Sequence, residues 1–346
     1  MLTEDGFFGG SEFGRAFEAD LRAALAPEQL AMLSQLCFVL IKPDALLSGK
    51  AGEILDRLRA SGFEIVFAHL LQAPRESQFE DLYKYNLTLY NVKHQLGAWW
   101  LNRQIYGLGP SLSLLVRGGD GTAGDIAARL GRLKGPSSPY NGAPGQIRWD
   151  LQATNRSLNL VHSADGPLST AREFQLFHPP EALKAVLDSM IEGALHTAHS
   201  KAGRMVLAFR ASRQEFSFLP TLLALKARVA IAGYGDSNEA ATARLLDLYS
   251  SIGAASSMTE EVRSILRLAE REREVAGALW PADGPLDQLF RLLAAPERYG
   301  PALAAALSHR LKACQIHVSG IELLVLQTSI YYFAADALAA EAHSPA

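Results

Sequence analysis

CFVLIKPDALLSGKAGEILDRLRASGFEIVFAHLL, residues 37–71, sets the fold of the first half of this chain. Its first five residues are an uninterrupted apolar run closed by Lys42, the pattern of a buried central strand. Pro43 restrains the turn that follows. Gly49 to Ala60 places Ile54, Leu55 and Leu58 at helical spacing, Gly62 stops that helix, and Phe63 to Leu71 reads as a second strand. Pro74 to Tyr85 predicts another helix.

The same alternation continues downstream. Ser111 to Arg117 (SLSLLVR) is a third strand, Thr122 to Leu133 a helix, and Leu158, Leu160 and Val161 a short apolar strand ending at His162. Between them, Lys134 to Gly145 holds three prolines and three glycines, so this loop is irregular but restrained. Ser169 is the expected N-cap of the helix carrying Glu173, which places that carboxylate in the first turn. Strands and helices in this order predict an α+β fold, a ferredoxin-like βαββαβ sandwich with an antiparallel sheet. From Pro180 onward the composition shifts to Ala- and Leu-rich helical segments broken at Gly253, Pro285 and Gly300-Pro301, the pattern of an all-α domain. The expected divisions are a helical extension over 1–36, punctuated by Pro27, an α+β domain over 37–180 and a helical domain over 181–346. The last helix, Gly320 to Ala340, is strongly apolar but contains Glu322, Gln327 and Asp336, so it reads as buried core or interface and not as a membrane span.

Bulk properties exclude several classes of partner. A net charge of −3 over 346 residues gives no general attraction to nucleic acid or to an anionic membrane, so any anion site is local. Cys37 and Cys314 sit in apolar patterns far apart, which argues against a disulfide framework or a zinc site and fits a reducing cytoplasm. No basic segment followed by an apolar run marks a secretory signal at the N-terminus. His196 and His199 share a helix face, but without a third ligand they read as two exposed histidines.

The chemistry centres on His162, with Asn159 before it and Glu173 after it. An imidazole nucleophile needs one nitrogen free and the other donating to a fixed acceptor, and Glu173 can be that acceptor. A strand-end histidine is more often structural, and Lys42 alone is more often a surface charge closing a strand. A resemblance carried by several separated motifs changes that balance.

The segment Asn159-Leu-Val-His162-Ser-Ala-Asp165 with Glu173 downstream resembles the active-site segment of the nucleoside diphosphate kinase family, N-x-x-H-G-S-D. Pro139 to Arg148 matches the family spacing P-x-x-x-x-P-G-x-I-R, Lys42-Pro43-Asp44 is similar to its K-P-D signature, and Phe177-His178-Pro179 to its exit. The resemblance covers residues 37–180 and implies the same ferredoxin-like fold. It implies a ping-pong cycle in which ATP or another nucleoside triphosphate, with Mg²⁺ on its phosphates, phosphorylates His162 and a diphosphate acceptor takes the group back. Lys42, Tyr83, Arg132, Ser137, Arg148 and Asn159 are the implied phosphate and nucleotide contacts, Glu173 the residue orienting His162, and a homo-oligomer an implied assembly.

The chain departs from the family at three places. Leu89 to Tyr106 is longer than the pattern and offers Tyr90, Trp99 and Trp100 as candidates for stacking on a base. Ser137 stands where threonine is usual, and the spacing from Arg132 is shorter. Ser163-Ala164 replaces Gly-Ser, so the hydroxyl that usually supports the glutamate is missing. Two functions follow: an active phosphotransferase, or a nucleotide-binding regulatory or scaffold protein with weak or no kinase activity, acting through its helical domain.

Overall fold

In the computed structural model, residues 10–72, 75, 77–83, 99–119, 125–194, 197–233, 239–276 and 284–342 are described. Two short helices come first. α1, Glu12–Ala24, is capped by Ser11, whose Oγ accepts from Gly14 N at 3.0 Å. α2, Pro27–Leu33, starts with proline at its first position, where the missing N–H costs no hydrogen bond. Helical spacing therefore ends before Leu36, which opens the first strand.

β1, Leu36–Ile41, is buried at every position, as an unbroken apolar run requires of a strand covered on both faces. Full burial of a side chain such as Phe38 contributes about 1.5–3 kcal/mol. α3, Pro43–Leu47, and α4, Ala51–Ala60, follow, with Ile54, Leu55 and Leu58 on the buried side of α4. β2 spans Phe63–Leu71, as its sequence predicts. Residues 77–83 form α5 and Trp99–Tyr106 forms α6, so β2 and β3, Ser111–Gly118, are joined by helices in place of a tight hairpin. α7, Ile126–Lys134, is capped by Asp125, which accepts from Ala128 N at 2.8 Å. α8, Ile147–Asp150, β4, Val161–Ser163, and α9, Pro167–Phe177, complete the α+β layer.

The sheet order is β2-β3-β1-β4, and all three pairings are antiparallel. This is the ferredoxin-like arrangement, with β4 on an edge beside β1 and His162 opposite Leu40. The other edge, β2, is covered by its own chain. α10, Pro180–Ile191, leads to α11, His199–Leu207, whose start meets Ile65: Ala198 N donates to Ile65 O at 2.6 Å, and Ile65 N donates to His199 Nε2 at 3.3 Å. His199 is thus half-buried and bonded, where the sequence suggested an exposed residue; His196 lies outside the described residues.

Contacts divide the chain differently from boundaries at 36 and 180. One unit comprises Met1–Pro136, Ala143–Leu151 and Asn159–Gln214, and the other Ser137–Gly142, Gln152–Leu158 and Glu215–Ala346. The second unit is helical: α12, Phe218–Ala232, α13, Glu239–Ser250, α14, Met258–Ala276, α15, Pro285–Leu293, α16, Pro301–Ala313, and α17, Gly320–Ala342. Gly320–Ala340 is long and apolar enough to cross a membrane by length and composition. In this unit Leu324, Val325, Leu326, Ile330 and Phe333 are buried, and Gln327 Nε2 donates to Ala304 O at 3.0 Å. Lys226 of α12 is buried against Glu272 of α14, with Nζ 2.9 and 2.7 Å from the two carboxylate oxygens and 2.6 Å from Leu293 O.

Candidate active site

The site is built where the end of β1 meets the segment entering β4. Lys42 follows the last residue of β1, and its backbone N donates to Leu160 O at 2.9 Å. Pro43 starts α3, which turns Asp44 back so that its Oδ2 accepts from Leu160 N at 2.9 Å. Leu160 is therefore held on both sides by the Lys-Pro-Asp turn, and it has φ +72. Val161 N donates to Asn159 O at 2.8 Å across it, closing a γ-turn. A buried leucine in this conformation costs about 1–3 kcal/mol and persists only because its surroundings fix it. Leu158 and Leu160 thus precede β4 and do not form it, and His162 occupies the middle of the strand instead of its end.

His162 Nε2 lies 2.8 Å from Glu173 Oε2, with 16% and 9% of the two side chains exposed. The glutamate is in the second turn of α9 and not the first, because the helix begins at Pro167 after an extended Gly166; Ser169 lies buried inside it. With the carboxylate ionised, Nε2 carries the proton and Nδ1 keeps its lone pair. The Tyr83 ring stands edge-on to the imidazole at 5.6 Å, and its hydroxyl is 2.6 Å from that of Tyr106. Burial raises the Tyr83 hydroxyl to about 12, so it remains a neutral hydrogen-bonding group.

Three cations surround this pair. Lys42 Nζ donates to Asn159 Oδ1 at 2.9 Å, and burial lowers its pKa to about 8, with Asp44 acting in the opposite sense. Arg148 donates to three main-chain oxygens, from Nε to Asn159 at 3.1 Å, from Nη1 to Gly135 at 3.0 Å and from Nη2 to Val161 at 2.6 Å. Burial brings this guanidinium down to about 10. Lys134, at the end of α7, donates to Ser163 Oγ at 2.7 Å and is likewise lowered to about 8 by burial.

Of the residues read from sequence, the structure gathers Lys42, Tyr83, Arg148, Asn159, His162 and Glu173. Arg132 is exposed on α7 and makes no hydrogen bond or ion pair among the described residues. Ser137 is exposed and falls in the second compact unit. Trp100 is half-buried on α6, whereas Tyr90 and the side chain of Trp99 lie outside the described residues. Sequence reasoning missed Lys134 and Asp44. The available signals were a lysine directly before the Gly135-Pro136 turn and the carboxylate of the Lys-Pro-Asp motif.

An antiparallel ferredoxin-like sheet carrying a carboxylate-held histidine beside buried cations defines a phosphotransferase. The sequence model of the nucleoside diphosphate kinase family matches residues 35–183. The chain is 32% identical over 148 residues to the nucleoside diphosphate kinase of Listeria monocytogenes serotype 4b (strain CLIP80459), covering 42% of this chain and 90% of that protein. It is 33% identical over 154 residues to the enzyme of Prochlorococcus marinus (strain MIT 9303), covering 44% and 92%. A solved nucleoside diphosphate kinase from Halobacterium salinarum, in complex with CDP, aligns at 22% identity and TM-score 0.35, over 43% of this chain and 90% of that one. The chain belongs to the nucleoside diphosphate kinase family, with a helical region following the family domain.

Proposed function

We propose that the protein moves the γ-phosphoryl group of a nucleoside triphosphate to a nucleoside diphosphate or related acceptor through a phosphohistidine at His162. The Nδ1 lone pair attacks the γ-phosphorus, an N–P bond forms, the bond to the β,γ-bridging oxygen breaks, and the diphosphate leaves with that electron pair. The reverse sequence with a second diphosphate completes the cycle. The observation that carries this reading is the 2.8 Å bond from His162 Nε2 to Glu173, which leaves Nδ1 as the nucleophile. Glu173 holds the tautomer and balances the charge that develops on the ring.

Lys42 and Arg148 bind phosphate oxygens, Asn159 and Tyr83 align them, and Arg132 and Ser137 are assigned to the phosphates by their place in the motifs. Among the described residues no group of three or more His, Cys, Asp or Glu is arranged to hold a metal ion. By the family resemblance, magnesium would arrive on the nucleotide, where it neutralises phosphate charge. The alternative, a nucleotide-binding regulatory protein with weak or no turnover, rests on Ala164, which puts a methyl group where the family hydroxyl supports the glutamate. Incubation with γ-labelled ATP separates the two. The enzyme reading expects an acid-labile, alkali-stable label that disappears in His162→Ala and chases onto added diphosphate; an unlabelled wild type overturns it.

A further inference from the structure

The helical region has no chemistry of its own in the reading above, yet the compact unit it forms includes two segments from the family domain, Ser137–Gly142 and Gln152–Leu158. The second ends one residue before Asn159. Asn155, 1% exposed, organises it. Its Oδ1 accepts from Ser157 N and Leu158 N, both at 2.9 Å, and its Nδ2 donates to Thr328 Oγ1 at 2.9 Å and Ser329 Oγ at 3.0 Å. One planar amide makes four bonds, two to the loop and two to α17, so its plane is fixed. The Thr328 hydroxyl donates to Leu324 O at 2.8 Å, which leaves its oxygen to accept from Asn155 and sets the direction of each bond.

Neighbouring contacts follow the same helix face. Ser157 Oγ donates to Tyr332 Oη at 3.3 Å, Ser138 Oγ donates to Asp336 Oδ1 at 2.8 Å, and Arg156 Nε lies 3.4 Å from the same oxygen. Residues 328, 332 and 336 are four apart and form one stripe on a helix that is otherwise strongly apolar. Thr328, Ser329 and Asp336 are buried, so these polar groups are satisfied only through such bonds.

We propose that Asn155 is a positioning residue for phosphoryl transfer and that α17 sets it through Thr328 and Ser329; the assignment rests on the phosphohistidine reading. The path is covalent and short. Leu158 is fixed at both its N–H, by Asn155 Oδ1, and its C=O, which accepts from Thr154 N at 3.0 Å. Asn159 comes next, with its side chain on Lys42 and its carbonyl on Arg148. The γ-turn at Leu160 then delivers His162. Rotation of the 155–158 loop shifts the Lys42 contact, the Arg148 contact and the imidazole together, and a displacement near 1 Å costs on the order of 100-fold in rate.

The test uses the full chain carrying Thr328→Val with Ser329→Ala, which keeps shape and removes both acceptors. Two readouts are followed: the rate of His162 phosphorylation by ATP, and the ¹⁵N imidazole resonances of His162, assigned by their loss in His162→Gln. The expected result is a rate lowered by about 10- to 100-fold, shifted His162 resonances, an unchanged helical circular dichroism spectrum, and recovery of the rate in Thr328→Ser with Ser329 intact. Unchanged rate and unchanged resonances in the folded double variant overturn the proposal while leaving the phosphohistidine reading standing. If the wild type takes no label, that reading fails and the resonances alone decide the positioning role. If the double variant does not fold, Asn155→Asp, which replaces the Nδ2 donor and keeps the Oδ1 acceptor, decides by the same two readouts.

Discussion

Lys42 and Lys226 are buried to nearly the same depth, 3% and 2% exposed, and burial pushes the pKa of both down. Their partners differ in kind. Lys226 in the helical unit meets both oxygens of Glu272 and a main-chain carbonyl, so its charge is cancelled where it sits. Lys42 donates to a neutral amide, has the Asp44 charge acting in its favour, and lies 5.7 Å from the centre of the Tyr106 ring, beside an Arg148 whose bonds go to three carbonyl oxygens. A cation closed by a carboxylate holds helices together. At Lys42 a phosphate arriving in the site would offset part of the desolvation that folding imposed.

The difference can be broken by exchange of partners. Lys226→Ala leaves Glu272 fully buried and uncompensated, so the helical unit should lose about 3–5 kcal/mol in urea unfolding. The double change Lys226→Met with Glu272→Leu should recover most of it. Lys42→Met should show a different profile, with phosphoryl transfer lowered about 10²–10³-fold and a smaller stability loss, about 1–3 kcal/mol for the buried Asn159 acceptor left without its donor. Equal stability losses in the two lysine variants, with Lys42→Met still active, would end the distinction.

Asp336 sharpens it from the acidic side. Burial raises this carboxyl to about 6, against the donating Ser138 and the nearby Arg156. A raised carboxyl pKa means that stability is present at low pH and lost as pH rises from the ordinary value near 3.8 through 6. Asp336→Asn should therefore be more stable than wild type at pH 7 by roughly 2–3 kcal/mol, and denaturant melts taken toward pH 4 should show that advantage disappearing.

The pH dependence of Lys42 has the reverse consequence for function. Its folded pKa, about 8, lies below the ordinary 10.5, so the charged form is penalised in the fold fully below pH 8, and that penalty is relieved as pH rises toward 10.5. Over the same range the cation is lost, and KM for nucleotide should rise on the order of tenfold per pH unit. Most of that slope should be absent in Lys42→Met, with a remainder from Lys134. The smallest expected effect is Ala164→Ser. A restored hydroxyl near the glutamate, worth about 1 kcal/mol, should speed His162 phosphorylation on the order of fivefold, measured in single turnover.

β1 was legible in sequence because burial at every position demands an apolar run, and β2 because Phe63 to Leu71 is a mostly apolar run opened by the Gly62 stop. The pairing of His162 with Glu173 was legible from residue type and separation, even though α9 starts at Pro167 and not at Ser169. Leu160 could not be read that way. Leucine carries no tendency toward positive φ, and its conformation is imposed by Lys42 and Asp44, which are remote in sequence. Arg148 announced a cation but not its three carbonyl partners. Lys134 was passed over because Arg132 satisfied the motif, although burial at the end of α7 selects the lysine for the contact with Ser163. The bonds from Asn155 to Thr328 and Ser329 join positions 173 and 174 residues apart and leave no local pattern at either end.

The covered edge of β2 bears on assembly. An open edge strand offers its N–H and C=O groups to any other strand, including one from a second copy of the same chain. At Ile65 both groups are already engaged by Ala198 and His199. Two copies joining their sheets at Ile65 would first have to lift the start of α11 away.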